Sequence, residues 1–289
     1  MKSGKICYLC GSNHHIKREG TVRDKPNLDI LECSDCSLVF LSTNKHIGEK
    51  HYEESGMHNG EEIAIESWLK ETKADDKRRY DFVRDKIINK KVLDFGCGAG
   101  GFIEMARASA SEVSGLELEK KLQHSFIERD LNVFPDYQTA LNNKVKYDLI
   151  TAFHVVEHLP NPKDTLKDLS LLLEEQGELI IEVPSSDDAL LSLYNCQSFQ
   201  NFTYWSQHLF LFNAKTLSEL VKQAGLKVNW IKHIQRYPLS NHLYWLSHGK
   251  PGGHQIWSFM NSQFNNFEYE SQLASIGKTD TIIAGVMKI

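Results

Sequence analysis

An α/β sheet carrying a nucleotide-type site is the fold class that this sequence predicts, and three observations predict it. Residues 92–102, VLDFGCGAGGF, run from a short apolar stretch through Asp94 into Gly96, Gly98, Gly100 and Gly101, then into a helix-like pattern. A buried strand feeding a glycine turn lets the backbone turn tightly and approach a ligand, because glycine has no Cβ. Residues 112–117, EVSGLE, read as a second short strand ending in an acid, and Glu117 lies 21 residues after Gly96. That is the usual offset of a carboxylate that accepts hydrogen bonds from ribose hydroxyls. Strand and helix patterns then alternate over most of the remaining chain.

The chain has 289 residues, room for one full α/β domain with additions or for two domains. Hydrophobic content of 41% and charged content of 25% are ordinary for a globular protein. The net charge of −5 supplies no basic field and argues against a nucleic-acid or anionic-lipid partner. No apolar run approaches the ~18 residues of a membrane span. The first residues, MKSGKICYLCGS, lack the apolar core of a signal peptide, so a cytoplasmic location is expected.

Residues 1–44 hold Cys7 and Cys10, a spacer of 22 residues, then Cys33 and Cys36. Each CxxC turn presents two thiolates to one ion, and two turns close a four-thiolate zinc shell. The polar spacer is too short to bury a core, so metal binding would supply the folding energy. Such a closed site leaves no position for chemistry; the module is expected to be structural. Residues 45–90 read as a helical linker or lid, with one helix around Ile63–Leu69 and another through Tyr80, Val83 and Ile87. The charge run between them, residues 70–79, reads as a solvated face. The core occupies 91–234. Its expected strands are 91–95, 112–117, 132–134, 146–153, 178–183 and 226–233. The helices between them are marked by Phe102 and Met105, by Leu122 and Phe126, by Leu166 and Leu169, and by Leu217, Leu220 and Val221. Residues 174–177 are expected to turn, and Gly225 to stop the helix before it. Residues 235–279 form an aromatic-rich insertion, expected to be a packed helical flap that lines a pocket. Residues 280–289 read as a final strand.

With these residues in place, the chain resembles the class I S-adenosylmethionine (AdoMet)-dependent methyltransferases. The resemblance rests on VLDFGCGAGGF, on Glu117, on YDLITAFHVVEHLPNP and on ELIIEVP, and covers roughly residues 78–234 plus the last strand. The two CxxC turns ahead of this core are similar to those of bacterial sugar methyltransferases with an N-terminal zinc-binding domain. The resemblance implies a Rossmann-like seven-stranded mixed sheet with an antiparallel last strand. It also implies methylation of a sugar or nucleotide-sugar precursor of polysaccharide, at oxygen or carbon. An RNA-directed protein, either a zinc-ribbon binding module or an rRNA methyltransferase, is the competing class. The segment after strand four lacks the Asn/Asp-Pro-Pro-Tyr motif of base methyltransferases.

The resemblance assigns the site residues by position. Asp94, Phe95, Gly96, Cys97 and Gly98 would pass the methionine part of AdoMet. Glu117 would hold the ribose, and Leu118 and Asp136 the adenine. Phe153 and His154 would stand at the strand-four end, where open α/β sheets bind ligands. Methyl transfer needs donor and nucleophile held in line and the nucleophile made electron-rich. His158 is expected to be the general base, since an imidazole titrates near neutrality. Glu157 would assist it. His208, in TYWSQHLFLF, would face the acceptor, and Tyr52 is a weaker candidate.

Overall fold

In the computed structural model, the described residues are 5–48, 50–54, 56–58 and 63–289, with the side chain of His58 excepted. The first four residues of the N-terminal segment, and part of the expected lid, lie outside them.

The long element before the core is one helix, α1 (Ile65–Ile87), where two were expected. Nothing in 70–79 breaks a helix: the run has no glycine or proline, and its Lys, Glu, Ala and Arg residues propagate helix well. Nor is the run simply a solvated face. Asp76 is buried, and Arg78 and Arg79 turn inward onto Glu182.

The core strands are β4 (Lys91–Phe95), β5 (Glu112–Leu116), β6 (Val133–Phe134), β7 (Tyr147–Phe153), β8 (Leu173–Pro184), β10 (Leu226–Ile234) and β11 (Thr281–Lys288). They form one seven-stranded sheet in the order β10-β11-β8-β7-β4-β5-β6. The five strands β4 to β8 pair in parallel, while β11 runs antiparallel to both β8 and β10. The mixed seven-stranded sheet is therefore as expected. β8 starts at Leu173, so the turn expected at 174–177 belongs to the strand; a register shift in the β7–β8 pairing absorbs the extra residues. Helices α2 (Gly101–Ala106), α3 (Gln123–Glu128), α4 (Tyr137–Asn142), α5 (Pro162–Leu172) and α8 (Ala214–Gln223) make the crossovers. Val92, Leu93, Ile150, Ile180, Ile181 and Ile283 are buried across the sheet, as strands covered on both faces require.

The front module has its own small sheet. Strands β1 (His15–Lys17), β2 (Ile30–Cys33) and β3 (Val39–Leu41) form an antiparallel meander. Its fourth strand, β9 (Phe210–Leu211), comes from the core and pairs Val39 with Leu211 and Phe40 with Phe210. The module is thereby hydrogen-bonded to the loop just after His208. Between β8 and β9 lie the short helices α6 (Ala189–Ser192) and α7 (Gln197–Thr203). The insertion contributes α9 (Leu239–His248), α10 (Gly253–Ile256) and α11 (Gln263–Ser275). Tyr244 and Trp245 are buried there as a packed flap requires, but Phe259, Phe264 and Phe267 are exposed.

Candidate active site

The carboxyl ends of β4, β5 and β7 open into a cavity of about 490 Å³, closed on its far side by Trp68, Thr72 and Arg79 of α1. Asp94, Phe95, Gly96, Cys97, Gly98, Glu117, Leu118, Phe153 and His154 all line it. Gly96 and Gly98 have φ of +70° and +52°. A Cβ on Gly96 would meet Val155 at 2.5 Å, and one on Gly98 would meet Trp68 at 3.0 Å. These two glycines thus admit the cavity's own walls against the loop. Glu117 bridges two backbones: Oε2 accepts from Gly98 N–H at 2.9 Å and Oε1 from Glu119 N–H at 3.0 Å. Burial raises its pKa despite those bonds. Asp94 accepts from Thr151 Oγ1–H at 2.7 Å, and burial pushes its carboxyl up to about 7. Cys97 is buried, and burial beside Glu117 and Asp94 holds its thiol well above the usual range, so it is no nucleophile. Asp136 is not among the lining residues. It caps α4, accepting from both Thr139 N–H (2.7 Å) and Thr139 Oγ1–H (2.9 Å). A carboxylate positioned by backbone amides at the end of β5, beside a glycine loop, suits a ribose diol, and the Asp94 side of the loop suits an ammonium group.

The turn after β7 carries His154, Glu157 and His158. His154 has φ of +56°, a conformation costly for a residue with a Cβ. Its amide donates to Glu182 O at 2.8 Å, its Nδ1 lies 3.0 Å from Glu157 Oε1 and its Nε2 3.1 Å from Glu182 Oε1. Burial and Arg236 oppose its charge, but the two carboxylates outweigh them and raise its pKa. Glu157 and Glu182 are fully buried. Burial opposes their ionisation too, yet His154 and its cationic neighbours win. Glu157 falls to about 2, and Glu182, which also receives Arg78 and Arg79 at 2.9–3.1 Å, falls well below the usual range.

His158 sits one turn on, in a 3-10 turn over Val156–His158. Its Nδ1 is 2.9 Å from the carbonyl of Gln207. A carbonyl only accepts, so Nδ1 carries the proton and Nε2 keeps its lone pair. Burial lowers the pKa of His158, Glu157 at 3.9 Å offsetting only part of it. His208 stacks edge-on at 4.9 Å between ring centroids, and burial, with His158 beside it, pushes it down to about 3. The donor atoms of Glu157, His158 and His208 lie within 4.8 Å of one another, close enough to share one cation.

Residues 64–229 match the family described as a methyltransferase domain. The chain belongs to that family. It is a class I AdoMet-dependent methyltransferase. A ubiquinone biosynthesis O-methyltransferase of Actinobacillus pleuropneumoniae is 32% identical over 118 residues, 35% of this chain and 50% of that one. A protein of the same description from Acinetobacter baylyi is 24% identical over 174 residues, 56% and 73% of the two chains. The chain thus spans half the length of the first of these relatives. A solved SAM-dependent methyltransferase of Thermotoga maritima, described as a possible histamine N-methyltransferase, superposes with a TM-score of 0.52. It is 16% identical, with 83% of this chain and 99% of that chain covered, and it shows the fold alone.

In this methyltransferase a second cavity, of about 480 Å³, adjoins the first. His154, His158 and Trp205 line both cavities. The remaining walls come from distant segments: Arg23 of the front module, Phe199 and Phe202 of α7, His208, and Tyr237, Trp245 and His254 of the insertion. The insertion therefore does line a pocket. Tyr52 lies on the first cavity and its hydroxyl donates to the carbonyl of His158. His51 Nε2 donates to Gln207 Oε1 at 2.6 Å, so the segment before α1 braces the same loop as His158.

The methyltransferase also carries a cluster that could hold structural zinc. Cys7 and Cys36 sulfurs are 3.6 Å apart and those of Cys10 and Cys33 are 3.5 Å apart. All four are free thiols within one ion's reach. A shell with Zn–S of about 2.3 Å places tetrahedral sulfurs roughly 3.8 Å apart, whereas a disulfide needs about 2.05 Å. Each CxxC turn is completed by a left-handed residue whose amide bonds the first cysteine's carbonyl, Gly11 to Cys7 and Ser37 to Cys33.

Sequence reasoning missed Arg79, Trp68, Trp205, Gln207 and Glu182. One signal was available: an acid inside ELIIEVP, on a strand otherwise apolar, demands buried cations. The inward face of α1 supplies them.

Proposed function

We propose that this methyltransferase moves the AdoMet methyl group onto a hydroxyl of a sugar or polysaccharide precursor, with His158 as general base. One observation carries the reading: the two cavities meet at His154, His158 and Trp205, and His158 points an unprotonated Nε2 there. Bound AdoMet supplies an electrophilic sulfonium methyl. The glycine loop and Glu117 hold it on one side. On the other, His158 takes the hydroxyl proton as the oxygen attacks in line, and anionic Glu157 stabilises the imidazolium formed. Carboxylates at 3.0 and 3.1 Å raise the pKa of His154, which makes it the poorer base of the two histidines; it supports the charge on Glu157 and fixes the turn. The front module would serve as a structural support for this site, with residues 235–279 as the acceptor-side flap.

The aromatic wall of the second cavity, with polar Asn241 and His254 between the rings, suits a sugar face. The names of the relatives favour a second acceptor, a phenolic ring, which the same wall accommodates. The Glu157–His158–His208 set favours a second arrangement of the chemistry, a divalent cation acidifying the hydroxyl in place of a base. The test is AdoMet-dependent product formation over sugars, nucleotide sugars and dihydroxybenzoates, read by mass and by NMR of the new methyl. An O-methyl sugar is expected. A C-methyl product would overturn the hydroxyl reading, turnover of phenols alone would overturn the sugar reading, and turnover that requires added Mn²⁺ would replace the base by the metal.

A further inference from the structure

The spacer between the two CxxC turns has no part in holding zinc, yet one of its residues reaches the acceptor side. Arg23 lies between β1 and β2, is exposed, and lines the second cavity. Its backbone N–H donates to Tyr204 O at 2.9 Å, which fixes the residue against the core. Its guanidinium lies 5.3 Å from the ring centroids of both Phe202 and Trp205, and Nη1 donates to Phe202 O at 3.4 Å. Two aromatic faces and one carbonyl thus hold a planar fork in place with most of its donors unspent.

No carboxylate stands within 4 Å of that guanidinium among the described residues, and the nearby acids are committed elsewhere. Asp24, the next residue, accepts from Ser206 N–H and Oγ–H at 2.9 and 2.5 Å. The cavity's other arginine, Arg236, is paired with Asp75 and Asp280. Its acids face inward: Asp280 accepts from the amides of Arg236 and Tyr237, and Asp188 from that of Leu190. Among the described residues, Arg23 is thus an arginine of this cavity that no carboxylate engages.

We propose that Arg23 is the anion-binding residue of the acceptor cavity, and that the acceptor carries a phosphate ester or a carboxylate which pairs with its guanidinium. The proposal rests on the reading of the second cavity as the acceptor's. The spacing is suitable. Trp205 lies 5.3 Å from the guanidinium and 6.0 Å from the His158 ring, so anchor and base are at most about 11 Å apart. One sugar or aryl ring, with a hydrogen bond at each end, bridges that distance. Both anions match a guanidinium bidentately, which a lysine cannot reproduce.

The test is calorimetric titration of the zinc-loaded, S-adenosylhomocysteine-bound protein with glucose 1-phosphate, inorganic pyrophosphate and benzoate. Wild type should bind at least one of them. Arg23→Gln should weaken that binding by about tenfold and Arg23→Lys by about threefold, with S-adenosylhomocysteine affinity within about twofold of wild type in both. Binding of the two phosphates but not benzoate selects a phosphate ester, and the reverse selects a carboxylate. Absence of binding by all three probes, or equal affinity in Arg23→Gln, overturns the proposal. Should Arg23→Gln melt early, Arg23→Lys decides alone, and equal affinity there overturns it. These readouts need no turnover, so their failure leaves the methyl-transfer reading standing; unchanged turnover in His158→Ala with anion binding intact would count against that reading alone.

Discussion

The two cavities have nearly the same volume and are built in opposite ways. The first cavity, proposed for the methyl donor, is made by neighbouring pieces of one sheet: the β4 loop, the β5 end and the β7 end, with α1 laid across them. Its key contacts are backbone contacts, such as Glu117 bonded to the amides of Gly98 and Glu119. The second cavity, proposed for the acceptor, borrows from the front module, from α7, from the loop before β9 and from the insertion. Its walls are side chains brought together across long sequence separations. A site fixed by backbone in register survives changes elsewhere; a site assembled from four segments depends on how each is tethered.

The largest effect that should separate them is loss of the front module's metal. Cys33→Ser removes one buried thiolate of the four. Because β3 pairs with β9, and Leu209 N–H donates to Glu157 O, the Trp205–His208 loop should lose its tether. Acceptor turnover should fall below detection and metal content by direct assay should drop, while S-adenosylhomocysteine affinity changes by less than about threefold. An equal collapse of cofactor binding would mean the two cavities are one mechanical unit.

Next comes His158→Ala, expected to lower turnover by about 10²–10⁴ with cofactor affinity unchanged. A loss confined to KM would make His158 a positioning residue. Glu117→Ala should do the reverse. It strands two amides and removes the expected ribose partner, so the AdoMet dissociation constant should rise by about tenfold, with turnover at saturation close to wild type.

The smallest effect concerns pH. Burial lowers the pKa of His158 below 6.5, so the acid limb of kcat/KM should lie below pH 6.5. A limb above that value would point to a different base. Stability has its own signature. Glu157, lowered from 4.5 to about 2, and Glu182, held well below its ordinary value, bind fewer protons folded than unfolded. Their contribution is complete above about pH 5 and is lost as pH falls through 4.5 toward 2, so Tm should drop across that window. Glu182→Gln should shrink the drop.

The donor cavity and the cysteine cluster are legible in the sequence because each is written locally. Gly96, Gly98 and Glu117 stand at offsets that a strand–turn–helix–strand unit imposes, and the four cysteines stand at the spacing that two metal-binding turns impose. Asp136, after β6, caps α4 and stands outside the lining of the first cavity, because an Asp at that point satisfies the α4 amides. The acceptor cavity is hardly legible. Arg23 lies in a polar spacer and Trp205 in an irregular stretch, and neither periodicity nor spacing marks them. The inward face of α1 is hidden for the same reason: Arg78 and Arg79 look solvated until Glu182, more than a hundred residues on, is placed beneath them.

The two-residue strand β9 has a consequence for handling the protein. It is the seam by which the front sheet is closed, with Tyr8 packed 5.2 Å from Phe210 and Phe40 paired to the same residue. A chain lacking residues 1–44 would not be a smaller enzyme. It would carry an unsealed β-edge flanked by uncovered aromatic rings, which is the surface on which chains stick to one another. Such a truncation, or expression starved of metal, should yield aggregates in sedimentation, whereas the metal-replete full chain stays dispersed.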